Sequence, residues 1–436
     1  LAWIENVLEG LDAPGTWAVD TTSRKVYLWP TGARPAKEIY APTLTELIRV
    51  EGEVDFLGPK DVPVRGIVFR GLTFTQADRG RVTDDDVSIQ HDWEMLDKAD
   101  ALLRFRGAED CAVEQCRFHN SGGSAIRLDL HCQKMRGSEN LVANLGGGGI
   151  HLIGYGPGTK DVNKHNEISN NLIHHCGRLY WHSHGIVLWQ SGENRVAHNT
   201  IHHMPRKSIC LAGVRPHFFL ESKRPENWGL RECAPTIRWH EISDERKIER
   251  EAENVMRQHD PAIHEYMDWP EITALLHTRN NIVEDNEVYR TNQLLADGAS
   301  INVSGAGEGN IIRRNYMHDI YNPNIHGALR SDDYQKGTLV EGNVVFKTNT
   351  DGLCIRHENF FVNNVVCDVG FRTDPGAKVH CYQWIGHSAL NGSRIERNIY
   401  FNPGDGQEFY GRGYGPDIWE HLGKMKGGTI DLNVYF

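Results

Sequence analysis

No run of apolar residues in this 436-residue chain approaches the roughly 20 that a membrane-spanning helix needs, so no membrane-embedded role is expected. Positive charge is the scarcer sign: 47 Lys and Arg stand against 58 Asp and Glu, a net charge of −11. That balance argues against nucleic acid as a partner, and against any polyanion held by charge alone. The nine cysteines contain no close pair of the C-x-x-C kind, which removes a zinc ribbon or finger. Several lie in apolar runs such as "SICLAG" and "NVVCDV" and read as small core residues. No strand–turn–helix context surrounds "LGGGGIH" or "GAGEGN", so these are turn glycines and not phosphate loops.

What the chain does have is repetition. An apolar residue, two others, Asn, one more and an apolar residue recur in "RVAHNTI" (Asn199), "IVEDNEV" (Asn286), "IIRRNYM" (Asn315), "LVEGNVV" (Asn343) and "RIERNIY" (Asn398). "EISNNLI" (Asn171) and "FFVNNVV" (Asn364) are looser copies. Asn171 and Asn199 lie 28 residues apart, and Asn286, Asn315 and Asn343 are separated by 29 and 28. The gaps hold short alternating runs and Gly-rich corners, with no room for an amphipathic helix. Short β-runs repeating in this way predict stacked coils of parallel strands, each burying its inward residues against its neighbours. The recurring Asn predicts a ladder of side-chain amides at one corner. An antiparallel sandwich would instead show hairpin turns every 8–12 residues or so and no fixed Asn register. The expected fold is therefore all-β, a right-handed parallel β-helix.

Residues 1–64 form a leading β segment, in which "GTWAVDTTSRKVYLWP" places two short strands around a polar turn. Residues 65–402 are the coil, and 403–436 a C-terminal extension. Residues 214–277, with "EISDERKIEREAENVMRQHDP", interrupt the repeat as a partly helical insertion, a lid or cleft wall. The opening "LAWIENVLEGLDAPGTW" reads as the middle of a longer chain, with a further segment or a second chain supplying what precedes it.

Glycines suggest a register between coils: "HGIVLWQS" (Gly185), "DGASINVS" (Gly298), "HGALRSDD" (Gly327) and "DGLCIRHE" (Gly352). In that alignment the inward positions are apolar except for Arg330. Trp189, Asn302, Ser331 and Arg356 share an outer face with Ser191, Ser304, Asp333 and Glu358. Coils stack about 4.8 Å apart, which puts the carboxyls of Asp333 and Glu358 roughly 5–6 Å from one another. His184, Asp297, His326 and Asp351 form a second column, just before the glycines. Paired carboxylates on a rigid surface can cleave a glycosidic bond, one protonating the leaving oxygen and the other attacking carbon or activating water. Asp332, Asp333, Glu358 and Asp297 are the candidate acids. His326, Arg330, Arg356, His357, Trp189 and His184 are candidate substrate contacts, with Trp189 as an aromatic platform. The histidines of "IHH" and "YMHD" (His174, His175, His202, His203, His318) read as corner packing and not as metal ligands. No cofactor is required, and no specific motif asks for Ca²⁺.

"WIENVLEGLDAPGTWAVDTTSRKVYLWP", "VRGIVFRGLTF", the block from "LLHTRNNIVEDNEVYRTNQLLADGASINVSGAGEGNIIRRNYMHDI" and the following "GALRSDDYQKGTLVEGNVV" resemble right-handed parallel β-helix glycoside hydrolases of the grouping around families 120 and 141. The resemblance implies catalytic acids at Asp297 with Asp332 or Asp333, or at Asp332 or Asp333 with Glu358. It implies a plant or algal poly- or oligosaccharide as substrate and an exported protein, extracellular or periplasmic. Two other functions fit the same surface: a polysaccharide lyase, with Arg330 and Arg356 neutralising a uronate, and a non-catalytic carbohydrate-binding coil.

Overall fold

The computed structural model describes residues 6–32, 39–80, 100–214, 241, 244–257, 269–322, 327–332, 334–356, 358–370, 381–386, 390–401, 408–412, 422 and 425–436. Residues 1–42 form one compact unit and 43–436 another. In the first, Trp17–Asp20 and Lys25–Leu28 pair antiparallel, as the polar turn between them predicts. Asp20 closes that turn by accepting the backbone N–H groups of Thr22 and Ser23 at 2.9 and 3.1 Å.

The second unit is a three-sided β-helix. Its first sheet has 13 strands and its second and third have 11 each among the described residues. Successive strands of each sheet pair in parallel, coil upon coil. The core is a set of aligned apolar columns. Ile126, Ile150, Ile186, Ile209, Ile301, Leu329 and Leu353 lie in register along the first sheet, all buried. Val196, Val283, Ile312 and Val340 do the same in the second, and Ile173, Ile201, Val288 and Met317 in the third. β-Branched and long aliphatic residues pack well on a pleated surface covered on its inner face, and each such side chain contributes about 1.5–3 kcal/mol of burial.

The asparagine ladder forms at the corner between the second and third sheets. Along Asn140, Asn171, Asn199, Asn286, Asn315, Asn343, Asn364, Asn398 and Asn433, each Oδ1 accepts the backbone N–H and the side-chain amide of the preceding Asn at 2.8–3.1 Å. The residue before each repeat Asn turns the corner in the left-handed region, with φ of 52–63° at Asn170, His198, Asp285, Arg314, Gly342, Asn363 and Arg397. A second ladder, not anticipated from the sequence, runs five residues earlier through Asn166, Asn194, Asn281 and Asn310. The strands Glu167–Ser169, Arg195–Ala197, Ile282–Glu284 and Ile311–Arg313 of the second sheet are thus clamped at both ends.

The coil extends beyond the boundaries expected from sequence. Ile48–Glu51 already pairs with the first sheet, because Val50 turns into the core. At the other end, Thr429–Asp431 and Val434–Tyr435 add strands to the second and third sheets from within the supposed extension. The insertion carries helices α1 (Glu245–Arg257) and α2 (Pro270–Ala274). The Glu251 carboxylate of α1 accepts the N–H groups of Glu271 and Ile272, both at 3.1 Å, and so caps the first turn of α2. Among the described residues no helix is long and apolar enough to cross a membrane. Eight described cysteines are free thiols; seven are buried, in keeping with a packing role, and Cys367 is partly exposed.

Candidate active site

The first sheet has an outer column running Arg104, Arg127, His151, Val187, Cys210, Asn302, Arg330, Cys354, Trp384. This corrects the glycine register. The aligned strand residues Ile186, Ile301, Leu329 and Leu353 follow their glycines by one, three, two and one residues, so the glycines do not mark a common phase. A one-residue slip in a strand reverses the face on which every side chain lies. Arg330, expected inside, faces outward beside Asn302; Ser331, expected outside, is fully buried opposite Val303. The register of Leu329 with Leu353, carried back two residues, places Gly327 opposite Asp351, so the proposed column of His184, Asp297 and Asp351 does not share one phase either.

With the register corrected, the acids sort themselves around Arg330. Its Nη1 lies 2.8 Å from Oδ1 of Asp297, and its Nη2 forms an ion pair with Oδ1 of Asp332. Arg356 approaches the same Asp332 oxygen at 3.7 Å. The two carboxylates differ in exposure, 64% for the Asp297 side chain and 5% for Asp332. Asp332 is fixed from behind by its backbone N–H, which donates to the Val303 carbonyl at 2.7 Å. Asp297 sits in the left-handed region, φ 54°, and its carbonyl accepts Arg206 Nη2 at 2.6 Å. Arg206 in turn lies 2.7 Å from His182 Nδ1. Burial works against the charge on Arg330, but Asp332 and Asp297 outweigh it and raise its pKa above the ordinary guanidinium range. Burial likewise pushes the neighbouring Cys354 thiol well up, despite Arg330 beside it.

Two further polar groups lie on this face. The Asn302 amide is fully buried and makes no hydrogen bond through either atom among the described residues. His151 is also buried, and its imidazole is held well below its ordinary pKa by burial, then by Arg127 and His184. His184 itself is buried beside His151.

Trp189 is not an open platform. It is buried with Val187, Cys210 and Ala212 beneath Ile248, Ala252, Trp269 and Ile272 of the insertion, and its Nε1 donates to the Gly213 carbonyl at 3.2 Å. The insertion therefore seals the outer face on the N-terminal side of Arg330, forming a wall. An aromatic ring close to Arg356 is Trp384, over which its guanidinium lies at 5.5 Å. Sequence reasoning missed Trp384 because its segment, "CYQWIG", lacks the glycine used for alignment.

Glu358 stands elsewhere. Its carbonyl accepts the Gly337 N–H, five residues past Asp332, so it lies at the next corner and not across from the Asp pair. There it lines a cleft of about 840 Å³ with Glu308, Lys336, Arg279, Phe360 and the α2 residue Thr273. Lys336 bonds Glu308 at 2.9 Å and lies 4.8 Å over the Trp269 ring. Asp333, His326 and His357 lie outside the described residues.

A family model described as a right-handed β-helix region matches residues 93–217. The fold is a right-handed parallel β-helix. Among solved structures the chain is similar to a protein titled glycoside hydrolase, with 17% identity and a TM-score of 0.51 over 99% of this chain and 57% of that one. The chain thus spans little more than half the length of that protein. It is more distantly similar to DFA-IIIase from Arthrobacter chlorophenolicus A6 in complex with DFA-III, with 12% identity and a TM-score of 0.38 over 86% of this chain and 65% of that one. No curated protein matches the chain.

Proposed function

We propose that the chain is a carbohydrate-active enzyme that hydrolyses a glycosidic bond in a plant or algal poly- or oligosaccharide, of the kind found in glycoside hydrolase families 120 and 141. The observation that carries this reading is the clasp of Asp297 and Asp332 by the two ends of one guanidinium, that of Arg330. Carboxylate oxygens bonded to the two η nitrogens of one planar fork stand roughly 8 Å apart or less. That is the range within which paired acids cleave glycosides, about 5–5.5 Å for retention and about 6.5–9.5 Å for inversion.

The surroundings suggest how the roles divide. Asp332, buried between two guanidiniums, serves as nucleophile or as base for water. Asp297, open to solvent at the mouth, meets the leaving oxygen. The Asn302 amide offers donors and an acceptor to a sugar hydroxyl, and Trp384 an apolar face. Asp333, next to Asp332 in sequence, is the remaining candidate acid. The resemblance to exported β-helix enzymes makes the protein extracellular or periplasmic in this reading.

The test is a panel of plant and algal oligosaccharides incubated with wild type, Asp297→Asn and Asp332→Asn. Release of new reducing ends, abolished in the variants, supports hydrolysis. An unsaturated, UV-absorbing product would replace hydrolysis with β-elimination, and glycan binding without turnover would leave a non-catalytic binding coil.

A further inference from the structure

The sequence repeats "IHH" on consecutive coils, and neither the core nor the candidate active site uses those histidines. They stack on the third sheet. His174 and His202 are outward neighbours in register, with ring centroids 4.9 Å apart and planes within 2° of parallel. His175 and His203 occupy the following left-handed corner positions, φ 54° and 52°, and stack at 4.6 Å.

Within each coil the two rings are nearly perpendicular, 86° for His174 and His175 and 77° for His202 and His203. They meet edge to edge, with Nδ1 facing Nδ1 at 2.8 Å in the first pair and 2.6 Å in the second. Packing alone asks only for stacked faces. It does not ask for two such Nδ1 pairs, one coil above the other. One ligand atom from each of His175, His202 and His203 lies within 4.8 Å of the others.

We propose that His175, His202 and His203, with His174 completing the set, bind one late first-row transition-metal ion such as Zn²⁺ or Cu²⁺. Imidazole is a ligand of choice for these ions. Tetrahedral Zn²⁺ with bonds of about 2.0–2.1 Å holds its nitrogens about 3.3–3.4 Å apart. The Nδ1–Nδ1 distances within a coil are shorter than this, so each pair opens slightly to admit the ion. Arg290 Nη1 lies 3.3 Å from His203 Nε2, so ligation through His203 Nδ1 moves the ring proton to Nε2 and turns Arg290 away from that nitrogen.

The experiment uses the untagged full chain, freed of metal by a chelator. Zn²⁺ alone is titrated against a chromophoric competitor, and Cu²⁺ loading is read by electron paramagnetic resonance. Expected are one equivalent bound in the micromolar range or tighter, nitrogen hyperfine structure from three or four imidazoles, and at least tenfold weaker binding in His175→Asn and in His203→Asn. Asparagine is chosen because it tolerates the left-handed corner. His318→Gln, on the same stack but outside the cluster, should bind as wild type does. Circular dichroism checks that each variant folds, and the wild-type resonance spectrum stands independently of them. Absence of binding, binding undiminished in both asparagine variants, or a spectrum without several imidazole nitrogens would overturn the proposal.

Discussion

Arg330 Nη1 and Asp297 Oδ1 lie 2.8 Å apart although 33 residues separate them in sequence. The contact exists because Arg330 faces out of its strand, on the same face as Asn302, and because the same guanidinium also holds Asp332. Lysine keeps the charge but cannot hold both acids in one planar fork. Arg330→Lys should therefore lower kcat by about 100-fold through misplaced acids while binding and fold persist. Arg330→Ala should also destabilise the fold, by about 3–5 kcal/mol, because it leaves the buried Asp332 short of a partner. Steady-state kinetics with denaturant melts separates the two effects.

The asparagine ladder makes a quantitative prediction about stability. Asn315 Oδ1 accepts both the backbone N–H of Asn286 and its amide, at 3.1 and 2.9 Å. Asn315→Ala strands two buried donors and should cost about 2–6 kcal/mol, at about 1–3 for each donor left unpaired. Chemical denaturation measures it, and a loss below 1 kcal/mol or so would mean water replaces the amide at that corner.

The wall beside the candidate site depends on two tryptophans in contact through one apolar cluster, Trp189 and Trp269. Trp269→Ala should cost about 3–5 kcal/mol locally. Hydrogen exchange should then quicken in α1 and α2 while the Ile186–Trp189 strand keeps its protection. Equal loss in the strand would show that the insertion is integral to the coil.

The histidine cluster ties stability to pH. Burial holds His202 down at about 4 against an ordinary value of 6.5, with His174 and His203 adding to the shift. Between those values the unfolded chain takes up the proton first, so the unfolded state is favoured as pH falls. His202 thus contributes stability that is present above pH 6.5 and lost progressively towards pH 4. The melting temperature should fall over that window, and His202→Gln should make the fall shallower.

The fold was legible because its signal is periodic: Asn199, Asn286, Asn315 and Asn343 recur where one hydrogen-bonding geometry must recur. The site was legible only in part. Arg330, Asp332 and Asp297 are conspicuous residues, and the structure does bring them together. Their partners were misassigned because the alignment trusted glycines. Those glycines mark places where successive loops crowd the backbone. A Cβ on Gly185 would meet the Ser208 carbonyl at 2.7 Å, one on Gly352 the Tyr382 carbonyl at 2.7 Å, and one on Gly298 the Arg206 side chain at 3.2 Å. Crowding follows the path of each loop, which varies in length from coil to coil, so the glycine drifts against the strand. The burial of Trp189 was illegible for a different reason. Nothing in "GIVLWQS" shows that a helix more than 50 residues later will lie over it.

The most direct test is the rate of oligosaccharide hydrolysis by Asp332→Ala beside Glu358→Ala, each with its melting temperature. Expected is a loss of kcat/KM of about 1,000-fold or more for Asp332→Ala, with a lower melting temperature because the buried Arg330 loses a partner but with the rate loss persisting where the variant is fully folded, and a much smaller change for Glu358→Ala. Hydrolysis by Asp332→Ala within a few-fold of wild type would contradict the assignment of the reaction to the acids held by Arg330.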